Sequence, residues 1–252
     1  MPIHAPTRTI ALATLKGGAG KTTTAVNLAT GLALRGETVL LVDLDPQANA
    51  TAHLGIVPDD HTVTLYELLL GMEEDPARGV VATPVERLHL IPSAPRMAGA
   101  EVELAAAPGR ERLLTETLAP LVERYRYIIV DTPSSMGILT LNGLLACGET
   151  MIPAQTHYFS VLAARQFVEV VRQVNRTFGA DLKVTGLIPT MVDRRMKISA
   201  ELIRDLEGEF GRNLVRPSIR LDARLADAPG KGRPIQLAAP KSNGAYDYTI
   251  LA

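Results

Sequence analysis

Apolar residues along this chain gather into short uncharged runs, and amphipathic stretches separate one run from the next. Strand-like runs stand at 9–15, 38–43, 88–92, 127–131, 149–153 and 183–189. The first, TIALATL, is apolar and β-branched without a charge, the composition of a strand buried on both faces. Between the runs the period changes. Ala25, Leu28, Ala29 and Leu32 mark a helix over 22–35 that Gly36 stops, and comparable patterns cover 111–125, 159–177 and 199–210. Strand and helix in alternation predict an α/β fold: a doubly wound, mostly parallel sheet with helices on both faces. Such sheets bind ligands at the carboxyl ends of their strands. No repeat, low-complexity tract or long linker interrupts the pattern, so one domain over residues 1–252 is expected.

Where the first run meets the first helix, the chain reads Leu15-Lys16-Gly17-Gly18-Ala19-Gly20-Lys21-Thr22-Thr23. This is a phosphate-binding loop. In the standard G-x-x-x-x-G-K-[ST] loop, glycines let backbone N–H groups close around phosphate oxygens, while the lysine and hydroxyl serve the terminal phosphates and Mg²⁺. Gly20, Lys21 and Thr22 fit that pattern, but Leu15 occupies the first glycine position and Lys16 adds a second cation. The fixed positions Lys-Gly-Gly-x-Gly-Lys-Thr would arise by chance at roughly 10⁻⁷ per start site, with glycine at about 7% of residues. A phosphate at this helix start meets unpaired N–H groups and the positive end of the helix dipole.

The loop resembles that of the deviant Walker A P-loop ATPases, and further segments narrow the likeness to the ParA/Soj partition ATPases. Thr38–Ala50 (TVLLVDLDPQANA) is similar to that group's second strand and first switch, and Tyr127–Gly137 (YIIVDTPSSMG) to its Walker B strand and second switch, with Ser134 where a second proline is more usual. Pro95–Leu104, Arg110-Glu111, Thr190–Asp193, Leu225–Ile235 and Pro240–Ser242 extend the likeness from about residue 8 to residue 248. The first strand begins almost at the N-terminus, as in the short members of the group that lack a preceding DNA-binding domain.

Roles follow from the motif and the resemblance together. Lys21 is expected on the β- and γ-phosphates of ATP, and Thr22 on Mg²⁺ with Asp131 reaching the ion through a water. The loop from Lys16 through Gly17, Gly18, Ala19, Gly20, Lys21 and Thr22 to Thr23 would wrap the phosphates. The resemblance implies that Asp45 positions or activates the attacking water and that Asp43 supports the metal site or the switch. It also implies that Lys16 reaches across an ATP-dependent homodimer to the partner's nucleotide, neutralising charge in the transition state. Adenine is placed between Thr190–Asp193, where Met191 would contact it, and 219–222, where Asp222 is either an acceptor for the adenine amino group or a turn residue.

Composition adds constraints. The chain has 46% hydrophobic residues, enough for a core on both faces of a sheet, and a net charge of −1, so no global field draws it to nucleic acid. Between Gly211 and Lys241, however, seven basic residues face two acidic ones, a local excess of five. Arg194, Arg195, Arg216, Arg220, Arg224, Lys231 and Arg233 form the expected DNA surface, sequence-independent because no base-reading module is present. The resemblance supplies a ParB-like protein as the stimulating partner and a nucleoid-associated cytoplasmic location. Competing readings are weaker. A MinD-like membrane ATPase calls for a basic amphipathic C-terminal helix, whereas Asn243–Ala252 holds Asp247 and no lysine or arginine, so no membrane is expected. A cluster-carrying reductase needs paired cysteines, and Cys147 is the sole cysteine. Positioning of a protein cargo by the same engine stays open.

Overall fold

The computed structural model describes residues 6–193 and 195–252. Arg194, one of the expected DNA contacts, lies outside the described residues. The strands are β1 (Arg8–Leu12), β2 (Val39–Asp43), β3 (Val81–Ala82), β4 (Leu88–Ile91), β5 (Tyr127–Asp131), β6 (Glu149–Gln155) and β7 (Lys183–Thr190). They form one sheet in the order β3-β4-β2-β5-β1-β6-β7, parallel throughout except for the short β3 on the edge. Strand β1 sits between β5 and β6, so the chain winds outward from it in both directions. That is the switch point at which open α/β sheets leave a crevice beyond the strand ends.

Each central strand divides its side chains between two cores, because successive residues point to opposite faces. Ile10 and Leu12 of β1, Val39 and Leu41 of β2 and Ile129 of β5 meet helix α1 (Lys21–Leu34), Leu54 beyond α2 (Asn49–His53), Ile235 of α10 (Ile235–Ala238) and Tyr248 of α11 (Asn243–Leu251). Ala11, Leu40, Val42, Ile128 and Val130 face the other way. There they meet α3 (Leu65–Leu69), α4 (Met97–Glu103), α5 (Leu113–Leu118), α6 (Ile138–Leu145), α7 (Tyr158–Phe178) and α8 (Lys197–Phe210). The short α9 (Ala223–Asp227) completes the set. Buried on both faces, these strands read as continuous apolar runs for that reason.

The structure bears out the doubly wound fold and corrects details. The helix expected over 111–125 is α5 followed by a 3₁₀ segment at Ala119–Arg124, because Pro120 has no N–H to extend the α-helical ladder. The run at 9–15 yields a strand only to Leu12, and the rest leads into the phosphate loop. Cys147 is buried just past α6, its thiol pushed up by desolvation, as a packed residue should be.

Candidate nucleotide site

The loop at 15–20 leaves the carboxyl end of β1 and enters α1 through Gly20, the helix N-cap. Gly20 and Gly18 have φ of 82° and 74°, a left-handed backbone that strains any residue with a Cβ. No side chain caps α1, so its first N–H groups point into the loop without an internal acceptor. Neighbouring strands brace the loop from outside. Thr190 Oγ1 at the end of β7 donates to the Ala19 carbonyl at 2.9 Å, and Gln155 Nε2 at the end of β6 donates to the Gly18 carbonyl at 2.7 Å. Neither brace is visible in the sequence pattern.

Lys21 is buried and points back over the strand ends. Its ammonium donates to the Thr132 carbonyl and lies 3.8 Å from Asp131 Oδ1 and 4.0 Å from Asp45 Oδ2. Asp131 ends β5 fully buried, and neither carboxylate oxygen has a hydrogen-bond partner. Burial raises its pKa, with the Lys21 charge opposing the shift. An orphaned buried carboxylate near a hydroxyl-bearing loop is the donor set a hydrated divalent cation requires, so Thr22 and Asp131 fit Mg²⁺. Asp43, at the end of β2, is also fully buried, and its carboxyl is pushed up to about 7 by desolvation and then by the Asp131 charge. Asp45 lies nearer the opening, with one oxygen accepting from the Gln47 amide at 3.0 Å.

Two cavities adjoin at this point. One, about 280 Å³, is lined by Lys16, Lys21, Thr22, Asp45, Asn49 and Ser134 among others. The second, about 330 Å³, is walled by Met191, Ile219, Leu221, Leu225, Ala226 and Tyr248. Gly20, Thr23 and Met191 belong to both. A polar chamber opening into an apolar slot suits a polyphosphate joined to a flat base. Asn49 carries no signal of its own in the sequence and Ser134 stands out only as a departure from the family's second proline; both sit in resembling segments, which was the available signal.

Two expected contacts change character. Asp222 borders the apolar slot, but its side chain is 4% exposed. Its oxygens accept from the Arg224 amide, Arg224 Nε and the Gly244 amide, at 3.1, 2.9 and 3.0 Å. It caps α9 and ties it to α11, so the turn alternative is the one the geometry favours over an adenine acceptor. Arg220 is likewise committed inside the chain. Its guanidinium holds the Asp247 carboxylate with contacts of 2.6 to 3.1 Å and covers the Tyr246 ring, so its charge is already engaged within the chain. Arg195, Arg216 and Arg224 are exposed but paired with Asp193, Glu207 and Asp222. Lys231 and Arg233 are exposed with no acidic partner among the described residues.

Lys16 does not join Lys21. Its ammonium turns toward α7 and donates to Ser160 Oγ at 2.9 Å. On either side of Ser160, Tyr158 and Phe159 are 64% and 63% exposed, and Leu162 is partly exposed. An apolar patch thus borders the phosphate chamber on the side where the extra lysine stands.

Known proteins share these features. The AAA domain family model matches residues 7–184. The sporulation initiation inhibitor protein Soj of Bacillus subtilis is 40% identical over 243 residues, 96% of each chain. The chromosome partitioning protein ParA of Myxococcus xanthus is 39% identical, over 97% of this chain and 86% of its own. The cobyrinic acid a,c-diamide synthase of Mycobacterium smegmatis, solved with bound ATP analog and magnesium, superposes with a TM-score of 0.83 at 34% identity, covering 97% of this chain and 92% of that one. With its deviant phosphate loop at the switch point of a parallel sheet and relatives matched along nearly their whole length, the chain belongs to the Soj/ParA family of P-loop ATPases.

Proposed function

We propose that this protein binds Mg-ATP, dimerises on it, binds duplex DNA without sequence preference as a dimer, and leaves DNA when a ParB-like partner stimulates hydrolysis. The observation that carries the reading is the divergence of the two lysines. Lys21 is buried among the carboxylates of its own site, whereas Lys16 stands at the mouth beside exposed aromatic residues. A cation so placed can serve a nucleotide held by a second copy of the chain, and the aromatic patch supplies apolar area for that contact.

In hydrolysis, water attacks the γ-phosphorus in line with the bond to the bridging oxygen, and that bond breaks to give ADP and phosphate. Thr22 and Asp131 would hold Mg²⁺, which would supply neutralisation of phosphate charge when bound. Lys21 and the N–H groups at the start of α1 hold the terminal phosphate oxygens. Asp45 accepts a hydrogen bond from the water and aligns it. Met191 and Leu221 enclose the base. For DNA we propose Lys231 and Arg233 together with Arg195, Arg216 and Arg224, whose exposed ion pairs are individually weak and can be exchanged for phosphates.

A membrane-cycling role finds less support. Helix α11 packs on α1, with Tyr248 buried and its hydroxyl 3.0 Å from Thr24 Oγ1, so the face that carries Ala245 and Tyr248 is already occupied. Among the described residues no helix is long and apolar enough to cross a membrane. Sedimentation and filter binding with ATP, with ADP and without nucleotide test the proposal. ATP is expected to convert the monomer to a dimer that retains unrelated duplexes equally. A monomer under all conditions, or ATP-dependent binding to anionic liposomes without DNA binding, overturns it.

A further inference from the structure

The segment that presents Asp45 is anchored from behind. Asp43 lies two residues earlier, and its carboxylate accepts from the Asp45 amide at 3.3 Å, the Thr51 amide at 2.8 Å and the Thr51 hydroxyl at 2.7 Å. That hydroxyl in turn accepts from the Ser93 amide at 3.0 Å, just beyond β4. Asp43, Thr51 and Ser93 are all buried. One side chain therefore links the end of β2, the first turn of α2 and the segment after β4.

The intervening turn needs such an anchor. The Ala48 amide closes it onto the Asp45 carbonyl at 2.9 Å, and Ala48 has φ of 50°, a left-handed conformation rare for a residue with a Cβ. Strained backbone of this kind persists when its surroundings over-determine it. Here Asp43 holds the start of the turn through the Asp45 amide and its end through Thr51.

We propose that Thr51 is a positioning residue for ATP hydrolysis: joined to Asp43 and to the Ser93 amide, it fixes the turn at 45–51 so that Asp45 meets the attacking water. The proposal rests on the reading of Asp45 given above. Valine at this position would keep the shape but remove the donor to Asp43 and the acceptor for Ser93, leaving buried groups unmet. The turn would loosen where a displacement of about 1 Å costs about 100-fold in rate. Nucleotide is held by the separate loop at 15–23, so ATP affinity should not follow.

The experiment compares the full-length wild type with Thr51→Val, Thr51→Ser and Asp45→Ala, measuring single-turnover hydrolysis and ATP affinity for each. Thr51→Val is expected to slow hydrolysis about tenfold or more while affinity stays within about twofold, and Thr51→Ser, which restores the hydroxyl, to recover most of the rate. A wild-type rate for Thr51→Val, a parallel loss of affinity, or no recovery with Thr51→Ser overturns the proposal. Should Thr51→Val melt below the assay temperature, Thr51→Ala is assayed in the cold by the same criteria. Asp45→Ala separates the two claims. Wild-type turnover by Asp45→Ala removes the premise, whereas an inactive Asp45→Ala beside a fully active Thr51→Val overturns the role of Thr51 alone.

Discussion

Lys16 and Lys21 carry the same charge, yet their surroundings assign them different work. Lys21 sits within 4.0 Å of two carboxylates, and a buried cation in that position also lowers the cost of keeping Asp131 ionised. Lys16 has a hydroxyl for its partner and exposed aromatics for neighbours. Lys21→Ala should therefore abolish ATP binding, measured by nucleotide titration, because it removes the phosphate cation and leaves Asp131 and Asp45 unbalanced. Lys16→Ala should still bind ATP but fail to sediment as a dimer and hydrolyse slowly. Equal loss of nucleotide affinity in the two variants would refute the reading of Lys16 as a residue acting in trans.

At the level of helices and strands, the contact between the segment after β7 and α11 shows how a charge becomes structural. Asp247 of α11 is 2% exposed, and Arg220 supplies both its fork of N–H donors and its backbone amide. Arg220→Ala would leave that carboxylate buried without a counter-charge. Because Arg220 itself is partly exposed, we expect a loss of about 2–3 kcal/mol, at the low end for a broken buried pair, read as a lower midpoint in urea unfolding. Unfolding indistinguishable from wild type would return Arg220 to the DNA surface. Regular elements in this region were legible because periodicity survives burial. The pair was not, since Arg220 and Asp247 are 27 positions apart and no local pattern joins them.

Across the whole molecule the same lesson governs charge. The excess of five positive charges between Gly211 and Lys241 counts only neighbours in sequence, whereas folding brings Glu207 to Arg216 and Asp247 to Arg220. Among the described residues four of the seven basic residues there, Arg212, Lys231, Arg233 and Lys241, stay exposed without an acidic partner, and of the expected DNA contacts these include Lys231 and Arg233. Dimerisation would double this free surface, so a modest patch can gain avidity without any new contact. With four to eight phosphates neutralised, log affinity for DNA should fall against log salt with a slope of about −4 to −7. Replacing Lys231 and Arg233 by glutamate in both subunits should reduce the steepness by up to about 3 to 4, equally for all duplexes, and leave ATP hydrolysis without DNA intact. An unchanged salt slope would place the DNA contacts elsewhere.

Local physics in this chain was readable residue by residue. Uncharged apolar runs become strands because both sheet faces are covered, Gly18 and Gly20 mark a left-handed phosphate loop, and Asp43, Asp45 and Asp131 stand at strand ends where ligands bind. Proximity across the chain was not. The edge strand β3 has two residues, too few to leave a periodic signal, and it pairs antiparallel with β4. The braces of Thr190 and Gln155 on the phosphate loop, the internal duties of Asp222 and Arg220, the turn of Lys16 toward Ser160 and the anchor at Thr51 all join residues from different elements or from beyond a turn. A hydrogen bond reports a few ångströms of separation in space, and a linear pattern encodes such a distance only while the backbone geometry is regular.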